Sequence, residues 1–343
     1  MKQLLNTLYV TTQGAYLARD GETVVVRVEQ ETRLRVPIHT LSSIVCFGQI
    51  SCSPFLMGLC AESGVVLAFL PENGRFLARV HGSVSGNVLL RREQYRWADQ
   101  EERAAAVARS VVMSKIANCR TVVLRALREK PEGEGAKEME TAARRLGRLL
   151  ETVAGPAGLD EIRGHEGDAA RVYFGVFDHF VTASEDDFFF HGRNRRPPLD
   201  NMNALLSFVY TLLTHDVTAA LEAVGLDPAV GFLHRDRPGR PSLALDLVEE
   251  LRPVIADRLA LSLVNRRQVQ GSGFRRTENG GVVMDEETRK EVLVAYQKRK
   301  QEEIQHPFLG EKMAFGLVPH IQATLLARFI RGDLDGYPSF LWK

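Results

Sequence analysis

The chain has 343 residues, 45% of them hydrophobic and 25% charged, with a formal net charge of +1. That length allows two domains, and the balance excludes a disordered, collagenous or membrane-embedded chain. Near-neutrality argues against indiscriminate coating of nucleic acid, so any cationic surface has to be local.

The first 90 residues read as mostly β. "LYVTTQGAYLARDGETVVVRVEQ" alternates and turns at Asp20-Gly21, a hairpin signal. "TRLRVPIH" and "SSIVCFG" predict two more strands. "SPFLMGLCAESG" has a Ser-Pro start and a Gly stop, the marks of one short helix. "VVLAFLPENGRFLARV" predicts a second hairpin turning at Asn73-Gly74, which completes a small, mostly antiparallel β domain. Cys46, Cys52, Cys60 and Cys119 form no C-x-x-C pair and sit among apolar neighbours, so they read as buried free thiols in a reducing compartment. No apolar run approaches the roughly 20 residues of a membrane helix. The N-terminal apolar stretch is too short for a signal peptide. A cytoplasmic protein without a membrane partner is expected.

The composition then changes. From about Glu93 to Glu129 the chain is rich in Ala, Arg, Glu and Leu with no Pro or Gly, and "EERAAAVARSVVMSKIANCRTVVLRALRE", residues 101 to 129, has helical spacing throughout. "KPEGEGAKE" is a solvated loop and "METAARRLGRLLETVAG" a second helix. The remainder is largely helical, with one β-hairpin expected at residues 274 to 285. The fold class is α+β multi-domain: a strand-rich N-terminal domain over residues 1–90, followed by a larger, mainly α-helical domain over 91–343.

The chemistry-bearing residues gather in "GFLHRDRPGRPSLALDLVEELRP", residues 231 to 253. Ser242 is placed to cap a helix that starts at Leu243. Around it, Leu243, Leu247, Leu251, Val254 and Ile255 share one face, with Asp246, Glu249, Glu250 and Asp257 on the other. Taken alone, that pattern is an amphipathic helix with a solvated acidic face. Asp246 and Glu249, three apart, could instead converge on one cation. Two carboxylates suit Mg²⁺ or Mn²⁺, and an imidazole from His234 shifts the balance towards Mn²⁺. His234 is otherwise a packed or capping residue. Upstream, "IRGHEGDAARVYF" opens a helix with Glu166 in its first turn. There it would complement the helix N-terminus, while Gly164 and Gly167 hint at close packing or an unusual turn.

Arginines surround these residues. Arg193, Arg195 and Arg196 precede Pro197-Pro198, which stiffen a loop before a helix starting near Asp200. Arg235, Arg237 and Arg240 follow His234, Arg266 and Arg267 with Arg275 and Arg276 lie further on, and "QKRK" adds Lys298, Arg299 and Lys300. Each cluster alone is an ordinary solvated loop. Together they suggest a surface that contacts phosphate.

"GHEGDAARVYF", "RRPPLDNMNALLSFVYTLL", "GFLHRDRPGRPSLALDLVEELRP" and "NRRQV", in this order, resemble the CRISPR-associated integrase of the spacer-acquisition machinery, the core adaptation endonuclease. The resemblance covers essentially the whole chain and is nearest the stand-alone type I-C form, with no fused nuclease or reverse-transcriptase domain. It implies a metal-dependent DNA endonuclease and integrase that joins prespacer 3′-hydroxyl ends to the CRISPR repeat by transesterification and acts on branched DNA. The family's conserved glutamate falls on Glu166, its metal histidine on His234 and its acidic pair on Asp246 and Glu249. Glu166, His234 and Glu249 are then the ligands of Mg²⁺ or Mn²⁺, with Asp246 beside them as a supporting or alternative ligand. The resemblance also implies a homodimer formed through the β domains, and a small ferredoxin-like second adaptation protein as partner. The alternative is a DNA-architectural subunit of the same complex that performs no chemistry. The tail "DGYPSFLWK" either packs on its own domain or contacts a partner or the other subunit.

Overall fold

The computed structural model describes residues 6–71, 77–80, 82, 87–133, 135–183 and 187–342. The chain begins with β1 (Thr7–Val10), β2 (Tyr16–Asp20), β3 (Thr23–Val28), β4 (Glu31–Pro37), β5 (Ser43–Phe47), β6 (Ser51–Cys52), α1 (Pro54–Ser63), β7 (Val66–Leu70) and β8 (Ala78–Val80). These form two four-stranded sheets, ordered β4-β3-β2-β6 and β1-β5-β7-β8. The antiparallel expectation holds for β2–β3, β3–β4 and β7–β8. It fails for β1–β5, β5–β7 and β2–β6, which pair in parallel. The reason lies in the connections: β5 reaches β7 through α1, a crossover that returns the chain in the same direction. In the first hairpin Asp20 pairs with Thr23, so Gly21 and Glu22 make the turn, with Gly21 at φ +57°. The turn expected at Asn73-Gly74 lies outside the described residues.

Sequence explains why the second sheet can sit between two cores. Every residue of β5, "SIVCF", is buried. Ile44 and Cys46 face a small core shared with Val10, Leu17, Leu56 and Cys60. Val45 and Phe47, on the opposite face, join the helical core, where Phe47 meets Phe208 at 5.8 Å between ring centroids. A strand covered on both faces reads as a continuous apolar run. Cys46, Cys60 and Cys119 are buried free thiols and Cys52 is half-buried.

The helical part comprises α2 (Val88–Ala98), α3 (Glu101–Glu129), α4 (Ala136–Ala154), α5 (Leu159–Phe174), α6 (Asn201–Val224), α7 (Ser242–Leu251), α8 (Arg258–Asn265), α9 (Glu286–Gln301) and α10 (Val318–Ile330). The helix expected over residues 101–129 is α3, and a separate helix, α2, precedes it, divided from it where Gln100 is extended. The break lets α2 fold back so that Trp97 meets Phe329 of α10 edge-on at 5.0 Å. With neither Pro nor Gly at the break, composition carried no sign of it. α6 starts at its Asp200 cap, as expected. It is also long and apolar enough to cross a membrane by length and composition, contrary to the sequence reading, but most of it is buried inside the protein.

Between α8 and α9 the expected hairpin is present as β9 (Phe274–Arg276) and β10 (Val282–Met284). A second hairpin, β11 (Glu303–Gln305) with β12 (Lys312–Ala314), follows α9 and was not anticipated. α7 and α8 are joined by a π-helical turn, Arg252–Asp257. Pro253 lies inside that turn, where its missing N–H removes one ordinary helical hydrogen bond.

Candidate metal centre and arginine-lined cleft

Four elements meet at the candidate centre. α3 carries Lys115, α5 carries Glu166, α7 carries Asp246 and Glu249, and the loop between α6 and α7 carries His234. Glu166 is not in a first helical turn. α5 begins at Leu159, so Glu166 lies mid-helix on the stripe Ile162, Glu166, Ala169, Tyr173, whose apolar members are buried. A cap role is therefore excluded. Gly164 and Gly167 have open space where a side chain would stand, so they do not mark close packing.

The acidic face of α7 is not solvated. Asp246, Glu250 and Asp257 are fully buried and Glu249 is 4% exposed. The wheel failed because α7 is covered all round, by α3 and α6 among others, and because the π turn changes the phase beyond Leu251. Nor does Ser242 cap the helix. It is the first helical residue after Pro241, and its hydroxyl donates to the Arg235 carbonyl at 3.2 Å.

Asp246 holds the histidine loop. Its carboxylate accepts from the backbone N–H groups of Phe232 (2.7 Å), Leu233 (3.0 Å) and His234 (2.9 Å). His234 Nδ1 lies 2.7 Å from Asp246 Oδ1. An ionised carboxylate only accepts, so Nδ1 carries a proton, and the neutral ring would then present a free Nε2. With both oxygens engaged, Asp246 holds the His234 loop in place.

Glu249 lies among three basic side chains. Its Oε2 is 2.6 Å from Lys115 Nζ, its Oε1 is 3.1 Å from Arg252 Nη2, and the same Oε1 is 4.0 Å from His234 Nε2. Lys115 also contacts Glu166 directly. Burial pushes the Glu249 carboxyl up, but Arg252, Lys115 and His234 together outweigh it and hold it well below the usual carboxylate range. For Lys115, burial works against the ammonium, while Glu249 and Glu166 hold it charged. Arg252 itself lies over the Tyr210 ring, 4.5 Å from its centroid.

Two carboxylates and an imidazole with a free Nε2 suit a hard divalent cation that tolerates one nitrogen. Glu249 Oε2 is buried without a hydrogen-bonded partner of good geometry, although the Lys115 ammonium stands beside it. Among the described residues, no three His, Cys, Asp or Glu side chains stand close enough together to hold a metal ion as they are. Lys115 stands between Glu166 and Glu249. The donor types therefore fit such an ion, provided that Lys115 yields. Lys115 and Arg252 escaped the sequence reading. The available signal was a lysine interrupting the apolar stripe Val111, Lys115, Cys119, Val122 of α3.

Glu166 and His234 line an open cleft of about 400 Å³, rimmed by Arg163, Arg235, Arg237 and Arg240. Asp160 pairs with Arg163 at 2.7 Å and with Arg235 at 3.1 Å on the same rim. Arg240 is lowered first by burial, then by the nearby charges of Arg237, Arg195 and Arg196, so two of the arginine clusters do converge. Arg195, Arg196, Arg235, Arg237, Arg266 and Arg267 are exposed or half-exposed. Arg193 turns inward instead, donating to Asn203 Oδ1 (2.6 Å) and Ser207 Oγ (3.0 Å) and lying over Tyr210. Two of the three cations of "QKRK" are likewise structural: Lys300 is buried 2.9 Å from Asp216, and Arg299 binds Glu302 and the Val254 carbonyl, while Lys298 is exposed.

The tail packs on its own domain. Tyr337 and Phe340 are buried, and Phe340 lies 5.7 Å from the ring of His306.

The model of the family described as CRISPR associated protein Cas1 matches residues 8–298. A Chlorobaculum tepidum protein named CRISPR-associated endonuclease Cas1 1 is 54% identical over 343 residues, covering 100% of each chain. Among solved structures, a casposase bound to an integration product has a TM-score of 0.84 at 20% identity, covering 98% of this chain and 94% of that one. A chain of a Cas6-RT-Cas1–Cas2 complex has a TM-score of 0.84 at 22% identity, covering 100% of this chain and 36% of that one. At such identities these two structures speak to the fold, while the family match and the Chlorobaculum relative speak to ancestry: the chain belongs to the Cas1 family of CRISPR-associated proteins.

Proposed function

We propose that this chain is a divalent-metal-dependent DNA endonuclease and integrase of CRISPR adaptation, acting in the cytoplasm. The observation that carries this reading is the convergence of Glu166 and Glu249 on the Lys115 ammonium, with His234 Nε2 4.0 Å from Glu249, beside an arginine-rimmed cleft. Carboxylates facing a polyanion repel it unless a cation intervenes. Glu166, His234 and Glu249 would hold Mg²⁺ or Mn²⁺, which when bound supplies Lewis acidity towards a phosphoryl oxygen. Asp246 keeps His234 in the tautomer that presents Nε2, and Arg252 keeps Glu249 ionised.

Arg235, Arg237 and Arg240, with Arg195 and Arg196, orient the DNA backbone along the cleft. Arg266 and Arg267 extend that surface, and Arg193 supports it from behind. In transesterification, a prespacer 3′-hydroxyl oxygen forms the new bond to the phosphorus at the repeat edge, and the 3′ oxygen previously bonded to that phosphorus leaves and takes up the proton. The reverse reaction resolves branched DNA. Joining both ends of a duplex calls for two such centres in a fixed relation, hence a homodimer through the domain of residues 1–90, with catalysis in 91–343. The shared fold with a chain of the Cas6-RT-Cas1–Cas2 complex supports a second adaptation protein, small and ferredoxin-like, as partner.

One observation favours the architectural reading. Lys115 already neutralises Glu166 and Glu249, so the fold does not need a metal to tolerate them. A strand-transfer and disintegration assay on branched DNA with Mn²⁺ or Mg²⁺ separates the two. Metal-dependent joining that His234→Ala and Glu166→Ala abolish, with DNA binding retained in a gel, supports the enzyme. Binding with no joining by the wild type supports the subunit that performs no chemistry.

A further inference from the structure

The segment 337–342 is tied to both helices that bring Lys115 and Glu249 together. Glu250, next to Glu249 on α7, accepts from the Tyr337 hydroxyl at 2.5 Å, the Phe340 N–H at 2.6 Å and Gln322 Nε2 at 3.3 Å. Asn118 lies one turn beyond Lys115 on α3. Its Nδ2 donates to the carbonyls of Glu250 (2.7 Å) and Phe340 (2.8 Å), and its Oδ1 accepts from the Trp342 N–H at 2.8 Å. Ser339 donates to the Ser110 carbonyl at 2.8 Å and touches the hydroxyl of Ser114, the residue immediately before Lys115.

Apolar packing alone would seal this seam at lower cost, because burying a carboxylate is expensive even when it is fully bonded. Directional bonds add what apolar contacts lack, a single register. Here the bonds run from one segment to the neighbours of both charged residues at the centre.

We propose that residues 337–342 are a positioning strap: by engaging Glu250 and Asn118 they set how α7 and α3 face each other, and so how Glu249 meets Glu166 and Lys115. This rests on reading Glu166, His234 and Glu249 as a cation site. Tyr337 and Ser339 are positioning residues, since their bonds run to Glu250, Gln322, Ser110 and Ser114 and act on Glu249 and Lys115 only through those neighbours.

The test uses the full chain. Tyr337→Phe keeps the ring and removes one hydroxyl. Mn²⁺ binding is measured by calorimetry and by the electron paramagnetic resonance spectrum of the bound ion, beside thermal unfolding. The strap predicts Mn²⁺ affinity weakened about tenfold, the scale seen when a supporting hydrogen bond is lost, with a changed Mn²⁺ spectrum. Val26→Ala, a cavity in the other core, should lower the unfolding temperature and leave both Mn²⁺ readouts alone. A Tyr337→Phe protein that melts earlier but binds Mn²⁺ like the wild type overturns the strap. Should that variant not fold, Ser339→Ala is read in the same way. A wild type that binds no Mn²⁺ removes the cation-site reading itself, and the strap's role with it.

Discussion

Lys115 Nζ stands 2.6 Å from Glu249 Oε2 while it also contacts Glu166, so one internal cation serves the two carboxylates of the candidate centre. A metal ion arriving there competes with that ammonium. Lys115→Met removes the competitor and leaves Glu249 with Arg252 as its one close cation and Glu166 without its ion pair, which costs about 3 kcal/mol in the metal-free protein. Thermal unfolding with and without Mn²⁺ checks this: the variant should melt lower without metal and gain more from Mn²⁺ than the wild type does.

The four contacts on Asp246 make it the anchor of the His234 loop. Asp246→Asn replaces one acceptor oxygen by a donor, opposing either a backbone N–H or His234 Nδ1–H. Stability should fall by about 1–3 kcal/mol, and His234 should lose its fixed tautomer. Nitrogen NMR of the histidine ring reads the second effect directly, and an unchanged tautomer would count against it.

The arginines divide by where they point. Arg237→Ala, at the exposed cleft rim, should lower DNA affinity and reduce the slope of log affinity against log salt by about 0.9 for each phosphate it no longer neutralises. Arg193→Ala should leave that slope unchanged and lower the unfolding temperature, because its guanidinium bonds Asn203 and Ser207. Salt titrations of binding beside unfolding curves distinguish the two.

Asp257 carries a pH signature. Burial raises it from 3.8 to about 6, against the opposing hydroxyls of Tyr210 and Tyr173 and the charge of Arg252. A carboxyl raised by folding favours the native state at low pH. That contribution is complete below its unfolded value and is lost as pH climbs through about 6. Between pH 4 and pH 7 the wild type should therefore lose stability relative to Asp257→Asn, on the order of 3 kcal/mol. Denaturant unfolding of both proteins across that range measures it, and parallel curves would refute it.

Much of the fold was legible because its signals are local. The Ser53 cap and Gly64 stop of α1, the Asp200 cap of α6 and the β9–β10 hairpin rest on residues adjacent in sequence. Parallel pairing of β1 with β5 is a long-range choice that alternation does not encode. The candidate site divides in the same way. Its residue types were visible in the 231–253 stretch, but the helical wheel assigned Asp246 and Glu249 to water. Only tertiary packing buries that face, with Lys115 arriving from a helix more than a hundred residues upstream. Glu166 and Lys115 left the same trace, a charge within an apolar stripe, which becomes informative once two such stripes are paired.

The wide turn at Arg252–Asp257 gives the rod from Ser242 to Asn265 a different rotational setting on each side. Removing one residue there would restore an ordinary helix and swing α8 by about 100° relative to α7. Leu259, Leu263 and Val264 would then leave the core while polar neighbours entered it. In evolutionary terms the segment can exchange side chains far more readily than it can change length. Insertions and deletions among relatives should therefore spare residues 252–257 and collect in the exposed loops.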